Sequence, residues 1–109
     1  MQYMLLICVP ADTAPPATIG ADTEAWVGEM DARGVRVLGQ QLAGPSDATT
    51  VRVRDDQVLL ADGPFAETRE FIAGFDLIEA ADLDTALDVA ARHPVAGWGS
   101  VEVRPYHQP

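Results

Sequence analysis

Ala73-Gly74-Phe75-Asp76-Leu77-Ile78-Glu79-Ala80 is the stretch on which the fold turns. It reads as a β-strand with apolar residues of both parities: Phe75 and Leu77 point to one side, Ile78 and Ala80 to the other. A strand that is apolar on both sides needs cover on both sides. Tyr3 to Val9 has the same property, with Tyr3, Leu5, Ile7 and Val9 on one face and Met4, Leu6 and Cys8 on the other. Its short length and the bounding Pro10 suit a strand rather than a helix. Two such strands mark the centre of a sheet.

Downstream, Asp82 reads as the N-cap of a helix carrying Leu83, Ala86, Leu87 and Ala90 at helical spacing. His93-Pro94 closes that helix, because a residue before proline avoids the α region. Gly97-Trp98-Gly99 turns the chain into a last alternating strand, Ser100 to Arg104, and the tail from Tyr106 is expected to fray. Upstream lies the loop Asp62-Gly63-Pro64-Phe65-Ala66-Glu67-Thr68, then Arg69-Glu70-Phe71. Before it, Thr49 to Arg54 alternates Val51 and Val53 against Arg52 and Arg54, Asp55-Asp56 makes a two-residue turn, and Gln57 to Ala61 returns as a hairpin.

Between the first strand and the hairpin, Pro10 to Gly20 reads as a loop. A helix is expected from Asp22 or Thr23, with Glu24 in its first turn, Trp26, Val27 and Met30 on its buried stripe, and Gly34 ending it. Val35 to Leu38 forms a strand, and Gly39 to Asp47 a loop. The order strand, helix, strand, hairpin, strand, helix, strand predicts one domain over residues 1–109. Its plan is α+β and ferredoxin-like: a mostly antiparallel sheet with two helices on one face. Two helices cover only that face. A second copy packed sheet to sheet, as a two-fold homodimer, is the simplest cover for the other.

Composition narrows the partners. Seventeen acids against seven bases give a net charge of −10. An acidic surface repels phosphate backbones and anionic lipid heads, which argues against nucleic acid and membrane. One cysteine, Cys8, cannot form an internal disulfide and suits a reducing compartment. The N-terminal apolar run is too short for a signal peptide and lacks a basic flank, so a cytoplasmic protein is expected. No phosphate-cradling glycine loop, calcium-loop spacing or His/Cys cluster is legible, so no cofactor or metal is expected.

The chemistry-bearing candidates cluster around the central loop. Asp62 reads first as an Asx-turn residue, and alternatively as a pocket carboxylate. Glu67 either bonds loop backbone or faces a cleft with Asp62, where paired carboxylates supply an acid and a base. Phe65 is a plug for the core or dimer seam, or else a stacking surface for a ligand. Arg52 and Arg69 are surface ion-pairing residues, or else anchors for an anionic ligand.

The loop, preceded by Thr50-Val51-Arg52 and followed by Ala73 to Ala80, resembles the YCII-related family in its DGPF branch. The likeness begins at Tyr3-Met4-Leu5-Leu6-Ile7, continues through Asp82-Leu83-Asp84-Thr85-Ala86-Leu87 and Val101-Glu102-Val103-Arg104-Pro105, and weakens over Pro10 to Gly20. It implies a dimeric α+β barrel of ferredoxin-like protomers. The wider family includes proteins with a proposed His–Asp acid–base site and a branch with dehydrohalogenation-type chemistry. Most DGPF-type members have no assigned reaction, and their genes often neighbour those of extracytoplasmic-function sigma factors, which implies a possible sigma-factor partner. Members of the branch often carry a His on the first helix. Matching through Trp26 and Gly34 places Thr23 there, so the usual neutral-pH base is missing. The reading is therefore a small ligand-binding or regulatory dimer. The alternatives are an enzyme using Asp62 and Glu67 for elimination or isomerisation, and a sigma-factor accessory protein.

Overall fold

A computed structural model describes residues 1–64 and 68–108. The chain runs β1 (Gln2–Pro10), α1 (Ile19–Ala32), β2 (Arg36–Gln41), β3 (Thr49–Arg54), β4 (Gln57–Asp62), β5 (Glu70–Glu79), α2 (Leu83–Ala91) and β6 (Ser100–Pro105), with short 3-10 turns at Pro45–Asp47 and Pro94–Gly97. Strands β2, β5, β1 and β6 form a four-stranded sheet in that order, every neighbouring pair antiparallel. The two strands expected to be central, β1 and β5, are the inner pair. The ferredoxin-like α+β plan read from the sequence is the observed one.

Register explains which residues share a face. Tyr3 lies opposite Ile78, Leu5 opposite Asp76, and Leu5 also opposite Val103 of β6. These side chains meet the helices. Tyr3, Leu5, Ile7 and Ile78 form one buried cluster with Trp26 and Met30 of α1 and Ala86, Val89 and Ala90 of α2. On the opposite face, Met4 lies opposite Leu77 and Leu6 opposite Phe75, with Leu38 beside Leu77 on β2. Met4, Leu6 and Phe75 are half-buried there, while Leu38 and Ile72 remain about half exposed, at 49% and 48%. Among the described residues, no element covers that face as α1 and α2 cover the first.

Three boundaries differ from expectation. Helix α1 begins at Ile19, not at Asp22 or Thr23. Ile19 packs against the core, which holds an extra turn in place, and Asp22 rather than Glu24 is the first-turn acid. The Thr18 hydroxyl donates to the Asp22 carboxylate at 2.8 Å. Strand β2 runs to Gln41 and β5 starts at Glu70, because their ladders extend each other: Gln41 pairs with Gly74, and Pro10 of β1 with Glu70. Gly34, at φ +70°, ends α1 as expected.

Strands β3 and β4 form a separate two-stranded hairpin. Asp55 and Asp56 sit at φ 51° and 61°, the left-handed pair that a type I′ turn requires and that Asp accepts more readily than most residues. Val51 faces Leu60 and Val53 faces Val58 along one side of this ribbon, and all four are 57–68% exposed. The radius of gyration, 15.8 Å, exceeds the roughly 13 Å of a compact domain this size because the hairpin projects.

Candidate ligand-binding cleft

One end of the interface between α1 and the sheet is open. It forms a cleft of about 780 Å³ whose walls are chiefly apolar: Ile7 and Val9 of β1, Ile19 and Val27 of α1, Phe71 of β5, and Val95 and Trp98 from the segment after α2. Polar side chains enter it from Thr23, Glu24, Arg36, Gln40, Gln41, Asp76 and His93. Thr23 stands on the α1 wall, half-buried.

Arg36 and Asp76 border the cleft from β2 and β5. Arg36 Nε donates to Asp76 Oδ1 at 2.7 Å, and Arg36 Nη1 donates to Asp31 Oδ1 at 3.3 Å. The Asp76 side chain is only 8% exposed. Burial pushes its carboxyl up from the ordinary value, and the bond and charge of Arg36 recover only part of that shift. Burial opposes the charge on Arg36 too, but its bonds to Asp76 and Asp31 outweigh it and hold the guanidinium above its ordinary value. Gly39 lies opposite Asp76 in the ladder, and a Cβ there would collide with Asp76 Oδ1 and approach Arg36 Nη2 to 2.6 Å. The missing side chain makes room for the ion pair.

His93 approaches from the far side. It follows α2 and is 3% exposed. Its ring lies 4.6 Å from that of Trp26, tilted by 57°, and Trp26 Nε1 donates to the Val89 carbonyl at 3.2 Å. The Val95 N–H donates to His93 Nδ1 at 3.0 Å. Burial depresses the imidazole pKa to about 4, so the ring is neutral at pH 7. With Nδ1 accepting, the single proton resides on Nε2.

The described residues among those singled out from the sequence, Asp62, Arg52 and Arg69, lie elsewhere. Asp62 ends β4 and is exposed, paired through its backbone with Thr49. The bonds that organise its turn are those of Gly63, whose N–H donates to Ala48 O at 2.7 Å and whose carbonyl accepts from the Thr50 hydroxyl at 2.8 Å. Arg52 is exposed on the hairpin. Arg69 is exposed as well, and its carbonyl accepts from the Ala11 N–H at 2.9 Å. Asp62, Arg52 and Arg69 are not among the cleft-lining residues. Phe65 and Glu67 fall outside the described residues.

Sequence reading missed Arg36, Asp76 and His93 as a set. Asp76 did carry a signal. It shares parity with Ile78 and Ala80, so it is an acid on the buried side of a central strand, and such a carboxylate needs a cation. His93 stands at a helix end, as His93-Pro94 predicts, but its burial against Trp26 depends on how α1 and α2 pack. Cys8 is half-buried, and its thiol is pushed up by burial and then by Glu70 and Glu102, which suits a packing residue rather than a nucleophile. No helix among the described residues is long and apolar enough to cross a membrane.

Relatives bear on this arrangement. An uncharacterized protein, R00369, of Rhizobium meliloti (strain 1021) is 38% identical over 100 residues, covering 76% of this chain and 81% of that protein. Among solved structures, 5-chloro-2-hydroxyhydroquinone dehydrochlorinase from Burkholderia phenoliruptrix AC1100, in complex with 2,5-dihydroxybenzoquinone, superposes with a TM-score of 0.55. The identity is 14%, with 100% of this chain and 96% of that chain covered, so the likeness is one of fold. The model of the YCII-related domain matches residues 1–108, from the residue before β1 past the end of β6. With the sheet order, both helices and nearly every residue inside that match, the chain belongs to the YCII-related family.

Proposed function

We propose that the protein is a homodimeric module that binds a small organic molecule in the cleft between α1 and the sheet. The cleft itself carries this reading. Its volume of about 780 Å³ falls within the roughly 300–1,000 Å³ of small-molecule sites, and apolar walls with a few placed polar groups are the usual composition of such sites. Binding is favoured over proton transfer because the deepest polar groups are already engaged. Asp76 holds Arg36, His93 Nδ1 holds the Val95 N–H, and α1 carries Thr23 where the resemblance to the DGPF branch leads one to expect an imidazole.

The dimer reading rests on surface. The outer sheet face and the hairpin together leave Leu38, Ile72, Val51, Val53, Val58 and Leu60 about half exposed or more. A face-to-face partner supplies the missing cover. Membership of the DGPF branch, a sigma-factor partner, and proton transfer by Asp62 and Glu67 with Arg52, Phe65 and Arg69 holding the substrate are readings that rest on the sequence motif.

Calorimetric titration with hydroxylated and carbonyl-bearing aromatic compounds, 2,5-dihydroxybenzoquinone among them, tests the cleft. Val27→Trp fills it from the α1 wall. The wild type is expected to bind at least one such compound, and the variant, with an unchanged circular dichroism spectrum, to lose at least tenfold in affinity. A panel with no binders, or undiminished binding by the folded variant, removes the cleft from consideration.

A further inference from the structure

We infer that His93 is a buried hydrogen-bond donor of the cleft, its Nε2–H holding the oxygen of an uncharged carbonyl on an otherwise apolar ring ligand. The inference rests on the cleft being the ligand site. Three observations lead to it. First, the acceptor nitrogen is occupied: Nδ1 takes the Val95 N–H at 3.0 Å, which leaves the neutral ring its proton on Nε2. Second, Nε2–H has no partner among the described residues, yet it is not sealed off. The one side-chain nitrogen or oxygen among them that is both sealed and unpartnered is the Trp98 indole Nε1. His93 is 3% exposed and lines the cleft, so its Nε2–H has lost most of its water and the cleft lies beside the ring. A donor in that position discriminates strongly for an acceptor, because a ligand without one leaves it unpaired. Third, the ring cannot swing away, since Trp26 packs on it at 4.6 Å and Val95 bonds its other edge.

The charge around the cleft selects a neutral acceptor. Glu24 and Asp76 border it, and the bordering cation, Arg36, is already shared between Asp76 and Asp31. In a chain of net charge −10, a carboxylate ligand meets repulsion with no free counter-charge, whereas a ketone or quinone oxygen does not. The apolar side chains Ile7, Val9, Val27 and Phe71 suit the ring itself.

Three matched probes test this: 2-acetylnaphthalene, 2-ethylnaphthalene and 2-naphthoate, titrated into the intact protein. The ketone is expected to bind about fivefold to tenfold more tightly than the alkane, the value of one hydrogen bond, and the carboxylate no better than the alkane. His93→Asn keeps an acceptor for the Val95 N–H and deletes the Nε2 donor. It should erase the ketone's advantage over 2-ethylnaphthalene, the ratio of the two affinities being the readout. Nitrogen-15 spectra of the ligand-free protein at neutral pH should show the His93 proton on Nε2, a readout that needs no variant and no ligand. Equal binding of ketone and alkane, or a proton on Nδ1, overturns the inference and leaves the cleft standing. Failure of all three naphthalenes to bind overturns this inference, and the cleft reading falls with it when the hydroxylated and carbonyl-bearing panel also yields no binder.

Discussion

At pH 7 His93 is an uncharged part of the core, and acid turns it into a cost. Its pKa lies near 4 in the folded chain against 6.5 for an unburied imidazole. Between those values the unfolded chain takes up a proton that the folded chain refuses, so stability is complete above about pH 6.5 and declines as pH falls toward 4. Asp76 acts with the opposite sign. Its folded pKa is raised, so it contributes stability at low pH that is lost as pH rises through that value. The two are separable by difference. Urea midpoints measured from pH 8 to pH 4.5 should fall in the wild type, and more steeply than in His93→Asn, which retains Asp76. Parallel curves for the two proteins would show that the imidazole is not held neutral.

At the scale of elements, the two helices differ in how they are held: α2 has a side-chain cap and α1 has none. Helix α2 has its cap in place: Asp82 Oδ1 accepts from the Thr85 N–H at 2.8 Å and from the Thr85 hydroxyl at 2.7 Å. The cap was readable from Asp82 and the helical spacing that follows it, because capping is a local matter. Helix α1 has no side-chain cap bond to its backbone and buries only Trp26 and Met30 of its fourteen residues. Its stability therefore comes from tertiary packing. Met30 is fully buried, so Met30→Ala should cost about 2–5 kcal/mol of folding stability in urea unfolding. Glu29→Ala, on the exposed side of the same turn, should change it by less than about 0.5 kcal/mol. Similar effects from the two would mean that α1 does not pack on the sheet through Met30.

For the whole molecule the open question is what covers the second face. An isolated two-stranded hairpin is marginal in water. Val51, Val53, Val58 and Leu60 present on the order of 400 Å² of apolar surface, comparable to the largest patch a typical monomer leaves open. The outer sheet face, with Leu38 and Ile72, adds to it. Sedimentation equilibrium at micromolar concentration should therefore give twice the chain mass of 11.6 kDa. The double substitution Val51→Glu with Leu60→Glu, on one face of the ribbon, should shift the distribution toward the single chain without loss of secondary structure. A stable wild-type monomer would contradict the dimer and leave the hairpin without a role.

The sequence by itself determined the elements, their order and the sheet. The parity of Tyr3–Val9 and Ala73–Ala80, the Val/Arg alternation of the hairpin, Gly34 and Asp82 are local signals, and local geometry translates them directly. Only the tertiary structure decided where a ligand site lies. The cleft gathers Thr23, Arg36, Asp76 and His93 from four elements far apart in the chain, and the state of each depends on a neighbour that sequence spacing does not reveal. Asp76 depends on Arg36, forty positions away, and on the absent side chain of Gly39. The imidazole of His93 is neutral and directional because Trp26 buries it and Val95 takes its other nitrogen. Burial and pairing are properties of surroundings, and those exist only once β1, β5 and the two helices have met.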